Sequence, residues 1–152
     1  MSAALPLLGV RVIELCWVWS GPLLGQFLAD LGAEVIKVEA VGRGDLARQL
    51  GADKELSARK MGISFLAQNA GKKSLTLDLK SEEGKAIFER LLATADVLVE
   101  NFRPGVMARL GLDYDILKER HPRLIYCAIS GFGQTGPMSR RPAYDQIIQG
   151  LS

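Results

Sequence analysis

The sequence predicts an α/β fold whose parallel sheet is doubly wound, or close to it. Strand-like and helix-like patterns alternate along the 152 residues, and no segment repeats another. The composition is 48% hydrophobic and 24% charged, as in an ordinary globular domain. A chain of this length is typical of one domain with a sizeable buried core.

The first three elements are expected to form a βαβ unit. Residues 10–15 are short, apolar and rich in β-branched side chains, as in a buried strand. Gly21-Pro22 opens a helix, because proline is tolerated in the first turn, and Gly32 ends it. Residues 35–39 form the second strand, so the two strands should be parallel and joined by a right-handed crossover.

In the middle of the chain, the residue pattern predicts a loop, a strand and a helix. Residues 40–71 lack periodicity and carry five glycines, which indicates a long functional loop. Within it, Arg43-Gly44-Asp45 is interpreted as a glycine-rich turn. Residues 74–79 alternate strictly, as a half-buried strand does. A helix is predicted to start after Ser81, where two acidic residues face the positive end of the helix dipole.

The second half predicts two more strands. Residues 95–100 and 124–129 are short apolar runs of strand character. Between them, a short helix begins at Pro104 or Gly105, and another extends from the cap Asp113 to about Arg120. A glycine- and proline-bearing loop covers residues 130–142, and an apolar stretch follows.

Composition excludes several classes of function. A net charge of +2 is too small for a nucleic-acid specialist. One histidine, and two cysteines without CxxC spacing, argue against a metal site, and Cys16 and Cys127 are interpreted as inert core thiols. Neither a membrane-spanning run nor a signal peptide is evident, so we expect a cytoplasmic protein.

The loops that follow the strands are the candidate site, because ligands of open parallel sheets bind at the carboxyl ends of the strands. These loops are residues 16–21, 40–45, 100–105 and 130–142. Cations on or near them favour an anionic ligand such as a phosphorylated cofactor. They are Arg43, Arg48, Lys72, Lys73, Arg103, Arg109, Arg140 and Arg141.

A dinucleotide fingerprint is matched only formally. Gly131, Gly133 and Gly136 have the GxGxxG spacing and follow a strand. However, no apolar helix comes next to place its N-terminus under a pyrophosphate, and the strand is the fifth rather than the first. NAD binding is therefore a weak hypothesis.

Three segments, taken in order, resemble the family III CoA-transferases (CaiB/BaiF, formyl-CoA transferase-like): ADLGAEVIKVE, ADVLVENFRPG and SGFGQTGP. The match is collinear over about residues 8–152. It implies a Rossmann-like parallel sheet flanked by helices. Family members are more than twice as long, so the resemblance also implies that residues 1–152 are the N-terminal part of the large CoA-binding domain and that the family fold is incomplete in this chain.

The resemblance implies an enzyme of acyl-CoA metabolism that moves CoA from an acyl-CoA thioester to a carboxylic acid. The reaction passes through an aspartyl anhydride, and the nucleophilic aspartate is expected beyond residue 152, which would leave this chain inactive alone. Coenzyme A enters as the acyl-CoA substrate, and no metal is expected. Family members form interlocked homodimers, in which a C-terminal segment returns to complete the nucleotide-binding-like domain.

Site residues follow from the resemblance position by position. Supporting catalytic roles fall on Trp19, Tyr144 and Asp145. CoA contacts fall on Trp19, Ser20, Arg43, Leu77, Asp78, Leu79, Lys80, Asn101, Phe102, Arg103 and Arg109. Trp19 replaces a glutamine of formyl-CoA transferase. Ala40 stands where an arginine is expected, and Arg43 is assigned as its substitute from the same loop. As strand leucines, Leu77 and Leu79 also fit plain core packing.

Two alternatives stay open. An α-methylacyl-CoA racemase-like enzyme needs bases on both faces of the α-carbon, and its histidine base aligns with Tyr144. The single histidine, His121, lies far from that loop in sequence, and a phenol is a poor base at neutral pH. The other alternative is a CoA- or nucleotide-binding module without catalysis, or an inactive fragment.

Overall fold

A computed structural model describes residues 4–151, so residues 1–3 and 152 of the predicted domain lie outside the described part. Its centre is a parallel sheet in the spatial order β3–β2–β1–β4–β5. The chain moves outward from β1 to β3 and then returns to the other side of β1. The predicted doubly wound α/β fold is therefore confirmed. The strands are β1 (Arg11–Leu15), β2 (Glu34–Glu39), β3 (Lys73–Thr76), β4 (Val97–Glu100) and β5 (Ile125–Ala128).

Short helices connect the strands. Two of the predicted caps are formed: the side chain of Ser81 accepts a hydrogen bond from Gly84 N, and that of Asp113 accepts one from Ile116 N. The helices are α1 (Ser20–Asp30), α2 (Lys54–Ala58), α3 (Ile63–Asn69), α4 (Glu82–Leu92), α5 (Val106–Leu110), α6 (Tyr114–Arg120) and α7 (Asp145–Gln149), with a 3-10 turn at Leu46–Gln49.

Each face of the sheet has its own core, because successive strand residues point to opposite faces. Val12, Val35 and Val99 pack with Leu24 and Leu28 of α1 on one face. The other face buries Ile13, Leu15 and Leu98 against residues of α4, α5 and α6, and these are Phe88, Leu92, Met107 and Leu117.

The expected loop at residues 40–71 is the main error of the sequence analysis. It contains the 3-10 turn, α2 and α3. These helices are only four to seven residues long, too short for an apolar stripe to repeat. Side-chain caps at Asp45 and Asp53 start the first two of them, and α3 packs on α1 with Phe65 buried.

Strand β3 is shorter than the predicted 74–79. Leu77 N still donates to Glu39 O at 3.0 Å, but Asp78 Oδ1 then accepts a hydrogen bond from Lys80 N. That local bond turns the chain away from the sheet and into α4. Leu77 consequently lies in the core.

A buried ion cluster joins β1, β2 and the loop after β2. Glu14 and Lys37 are register partners on the face that α1 covers. Lys37 Nζ lies 2.9 Å from Glu14 Oε1 and 2.9 Å from Asp45 Oδ2. Burial opposes the charge on Lys37, but these two carboxylates outweigh it and raise its pKa. A second ammonium, Lys72 Nζ, lies 2.7 Å from Glu14 Oε2, and burial lowers the pKa of Lys72.

Another buried carboxylate, Glu39, ends β2. The Nη2 and Nε atoms of Arg48 donate to the two oxygens of Glu39 at 2.6 and 2.7 Å. Asp45 N and Ser74 Oγ donate to the same carboxylate, each at 2.8 Å. Burial alone would raise the pKa of Glu39, but these hydrogen bonds outweigh it and lower the pKa to about 2.

Replacing Lys37 with methionine should strongly destabilise the chain. It would leave the buried carboxylates of Glu14 and Asp45 without their common cation, at a cost of about 3–5 kcal/mol. The control is Lys73→Met on neighbouring β3. Lys73 is 69% exposed in its ion pair with Glu34, so the control should cost less than about 1 kcal/mol. Urea unfolding measures both, and equal losses would contradict the buried cluster.

The stability of the chain should fall in acid partly through Glu39. Its folded pKa, near 2, lies below its ordinary value of 4.5. The stabilisation is therefore complete above pH 4.5 and is lost as the pH falls toward 2, up to about 3 kcal/mol. Glu39→Gln should flatten the dependence of the unfolding free energy on pH in this window. The exposed control Glu119→Gln should leave the slope unchanged; a slope preserved in Glu39→Gln would refute the assignment.

Candidate functional site

A cleft of about 450 Å³ opens at the carboxyl ends of β1, β4 and β5. It lies where the strand order reverses, which is the usual ligand position in an open α/β sheet. The cleft is lined by residues 17–20, 101–104 and 129–131, and by most of residues 139–148.

The first wall is the turn between β1 and α1. Val18 has a φ of +71°, a left-handed conformation that is unusual for a β-branched residue. Asn101 holds the preceding residue from both sides: Trp17 N donates to Asn101 Oδ1 at 2.9 Å, and Asn101 Nδ2 donates to Trp17 O at 2.8 Å. Trp19 follows at the cleft and is 57% exposed.

The second wall is the loop after β4. Glu100 is buried below it, and its Oε2 accepts a hydrogen bond from Phe102 N at 2.8 Å. Burial raises the pKa of Glu100, against this hydrogen bond and a longer one from Tyr126. The ring of Phe102 meets Trp17 edge to face at 6.2 Å. Arg103 is exposed and lines the cleft beside it.

The third wall depends on Gly131. A Cβ on this residue would lie 2.1 Å from Ala143 Cβ and 3.0 Å from Ile148 Cδ1. Glycine therefore allows the segment around α7 to pack against the end of β5. This packing brings Tyr144, which is 72% exposed, and Asp145 to the cleft.

The glycine triplet does not form a dinucleotide-binding turn. Gly133 and Gly136 have φ of +79° and +91° and lie in an irregular loop. After the triplet, the next helix begins only at Asp145. The arrangement therefore lacks the helix N-terminus that would hold a pyrophosphate.

A smaller cavity of about 150 Å³ lies beside the cleft, at the ends of β2 and β3. Three cations line it: Arg43, Arg48 and Lys60. Arg48 is held by Glu39, and Lys60 Nζ donates to Gly42 O. Arg43 Cζ lies 5.3 Å from the ring centroid of Trp17, so this stacking pair separates the two cavities.

The structure brings together most, but not all, of the residues expected at the site. Seven line the cleft: Trp19, Ser20, Asn101, Phe102, Arg103, Tyr144 and Asp145. Arg43 lines the small cavity.

The others lie apart from both cavities. Leu77 is a core residue, as the packing interpretation allows, and Leu79 packs on the same core. Asp78 and Lys80 are exposed beyond β3. Arg109 is exposed on α5 and lines neither cavity.

Three residues of the predicted loops were not singled out from sequence but line the cleft: Trp17, Val18 and Ser130. Ser130 Oγ is buried without a hydrogen-bond partner among the described residues. Arg141, one of the cations expected near the site, also lines the cleft. The buried acid Asp45 was interpreted only as part of a turn. A usable signal existed in the strands, where Glu14 and Lys37 place opposite charges between apolar neighbours.

The single histidine lies outside the cleft. His121 Nε2 is 3.1 Å from Glu89 Oε2, at the end of α6. Cys16 and Cys127 are free thiols, and burial raises the pKa of both. Residues 4–151 contain no cluster of three His, Cys, Asp or Glu side chains able to hold a metal ion. Over the same residues, no helix is both long and apolar enough to span a membrane.

Comparison with known proteins gives relatives that are much longer than this chain. The succinate–glutarate CoA-transferase of Agrobacterium fabrum is 50% identical over 150 residues, which are 97% of this chain and 38% of the relative. The acetyl-CoA:oxalate CoA-transferase of Acetobacter aceti is 48% identical over 147 residues, 97% of this chain and 37% of the relative. The chain thus spans less than two fifths of these relatives.

Solved structures agree with the sequence matches. A CaiB/BaiF family protein from Brucella suis superimposes with a TM-score of 0.87 at 45% identity, covering 98% of this chain and 39% of that structure. A mutant of Rv3272 from Mycobacterium tuberculosis gives a TM-score of 0.87 at 46% identity, covering 97% and 39%. The family model described as CoA-transferase family III matches residues 7–152. This chain therefore belongs to CoA-transferase family III.

Proposed function

We propose that this chain is the CoA-binding part of an enzyme that moves CoA from an acyl-CoA thioester to a carboxylic acid. The observation that carries the proposal is the cleft at the strand-order reversal, with a cationic cavity beside it. Seven of the residues assigned from the family resemblance line that cleft.

The two cavities fit the two ends of an acyl-CoA. CoA is elongated, with phosphates at one end and the thioester at the other. Arg43 and its neighbouring cations suit the phosphates, because guanidinium groups bind phosphate oxygens in bidentate geometry. The cleft suits the thioester end, since Trp17, Phe102, Ile129 and Ile148 give it apolar walls. Such walls exclude water, which would otherwise hydrolyse an activated acyl group.

The residues of this chain hold and orient the substrate in the proposed reaction. Trp19, Tyr144 and Asp145 have supporting roles at the cleft. The nucleophile is expected to be an aspartate beyond residue 152, which would form the aspartyl anhydride. Asp145 is not assigned that role: it begins α7, and its carboxylate accepts a hydrogen bond from Gln149.

We infer that residues 1–152 are the N-terminal part of a larger CoA-binding domain in a cytoplasmic, interlocked homodimer. The coverage of the relatives, 37% and 38%, supports the extent of the missing part. Ile125 supports it too, because this apolar side chain on edge strand β5 is 63% exposed and suited to cover by further chain.

An assay of CoA transfer tests the activity. The protein extended to the full length of its reading frame should transfer CoA from acyl-CoA to at least one acid in a panel containing succinate, glutarate and oxalate, the acids in the relatives' names. The 152-residue chain should give no transfer; transfer by it alone would contradict a nucleophile outside it. Rapid exchange of a labelled α-proton, without transfer, would instead favour the racemase-like alternative.

Arg103 should contribute to CoA affinity. Replacing it with glutamine removes a charged hydrogen-bond donor at the cleft, so the Kd for CoA should rise about tenfold or more. Isothermal titration of the extended protein measures this. Arg123→Gln is the matched control. Arg123 is exposed just before β5, at the amino-terminal ends of the strands, whereas the cleft lies at their carboxyl ends. Equal effects of the two substitutions would argue against the assignment, and an absence of CoA binding by the parent would overturn the proposed function.

A further inference from the structure

We propose that Asp45, held by Lys37, is a positioning residue that keeps Val18 in its left-handed conformation and so fixes Trp17 and Trp19 at the cleft. The inference rests on the proposed function only in taking this cleft as the CoA site. The contact between Asp45 and Val18 is present in the chain without ligand.

The turn that carries the two tryptophans is strained. Trp19 N donates to Trp17 O at 3.1 Å, closing a three-residue turn around Val18, whose φ is +71°. A three-residue turn with positive φ at its centre is the rare and strained form. Valine makes the strain worse, because its branched Cβ crowds the backbone in this conformation. The turn therefore needs support from its surroundings.

Side-chain hydrogen bonds hold the three residues from Cys16 to Val18. Lys37 Nζ donates to Cys16 O at 2.6 Å, and Asn101 binds both the N–H and the carbonyl of Trp17. Val18 N donates to Asp45 Oδ1 at 3.1 Å. Asp45 is thus the side chain that holds the strained residue directly.

The carboxylate of Asp45 is itself fixed in direction. It is fully buried, with Oδ2 2.9 Å from Lys37 Nζ, while Oδ1 also accepts a hydrogen bond from Ala47 N at 2.9 Å. The ion pair orients one oxygen toward β2 and leaves the other facing Val18. One side chain thereby joins the turn after β1 to the loop after β2.

This connection couples the two cavities. The loop after β2 carries Arg43, which stacks on Trp17 and lines the small cavity. Trp17 belongs to the turn that Asp45 holds, and it lines the cleft. Loss of the Asp45 contact would remove a direct link between the two loops that carry the stacking pair, although Asn101 would still bind Trp17. A CoA molecule lying across both cavities would then meet a site that is correctly formed only part of the time.

The two tryptophans of the chain provide a direct measurement, since both lie in this turn. In the 152-residue chain, Asp45→Ala should increase acrylamide quenching of tryptophan fluorescence and shift the emission to longer wavelength, while the far-ultraviolet circular dichroism is kept. Asp45→Asn keeps an acceptor for Val18 N and should keep the parent fluorescence despite lower stability. Unchanged fluorescence in Asp45→Ala would overturn the proposal.

A rescue variant separates positioning from general stability. Val18→Gly removes the conformational penalty, because glycine adopts positive φ readily. In the Asp45→Ala background it should restore the parent fluorescence at least in part. Arg123→Gly is the control, because Arg123 is exposed before β5 and lines neither cavity; it should restore nothing. If Asp45→Ala alone does not fold, the double variant with Val18→Gly should; failure of both to fold, or rescue by Arg123→Gly, would overturn the proposal.

CoA affinity in the extended protein gives the functional consequence. If Asp45→Ala leaves the turn correctly formed about a tenth of the time, the Kd for CoA rises about tenfold, and Val18→Gly reverses part of that rise. If the parent binds no CoA, the proposed function fails, while the fluorescence result still tests whether Asp45 positions the turn. If the parent binds CoA and Asp45→Ala binds it equally, the positioning role is wrong.

Discussion

Lys37 is a cation buried at the centre of the sheet, and the arrangement around the cleft depends on that charge. An ammonium is expensive to remove from water unless carboxylates surround it closely. Glu14 on β1 and Asp45 in the loop after β2 provide them, each at 2.9 Å. The ion cluster thereby ties the loop after β2 to two strands whose register the backbone ladder already fixes. It lies below the carboxyl ends of β1 and β2.

The cleft above this cluster is assembled from elements distant in sequence. The turn after β1, the loop after β4 and the segment after β5 contribute its three walls. Asn101 joins the first two walls through its pair of hydrogen bonds to Trp17. Gly131 admits the third by leaving room for Ala143. The side chain of Asn101 and the absence of one at Gly131 thus bring the three walls together.

The membership in CoA-transferase family III gives this arrangement its meaning. The residues that the resemblance assigns to the substrate fall mainly into the cleft, whereas Leu77 and Arg109 do not line it. Leu77 does not reach the cleft, because β3 ends one residue before it and the chain then turns over the core. Ala40 and Arg43 show a different kind of departure. The expected arginine is absent, but a guanidinium three positions later reaches the same small cavity.

The sequence by itself determined the alternation of strands and helices, because the two periodicities follow from side-chain direction and need no tertiary information. It also determined the family, since three ordered motifs are more specific than any single one. It failed at residues 40–71, where the helices are too short for an apolar stripe to repeat. Only the tertiary structure decided that Asp45, which the sequence places in an ordinary glycine-rich turn, is fully buried and paired with Lys37. The physical reason is that its partners, Lys37 and Val18, come from other elements, and the pairing of charges across strands is fixed by register and packing rather than by neighbours in sequence.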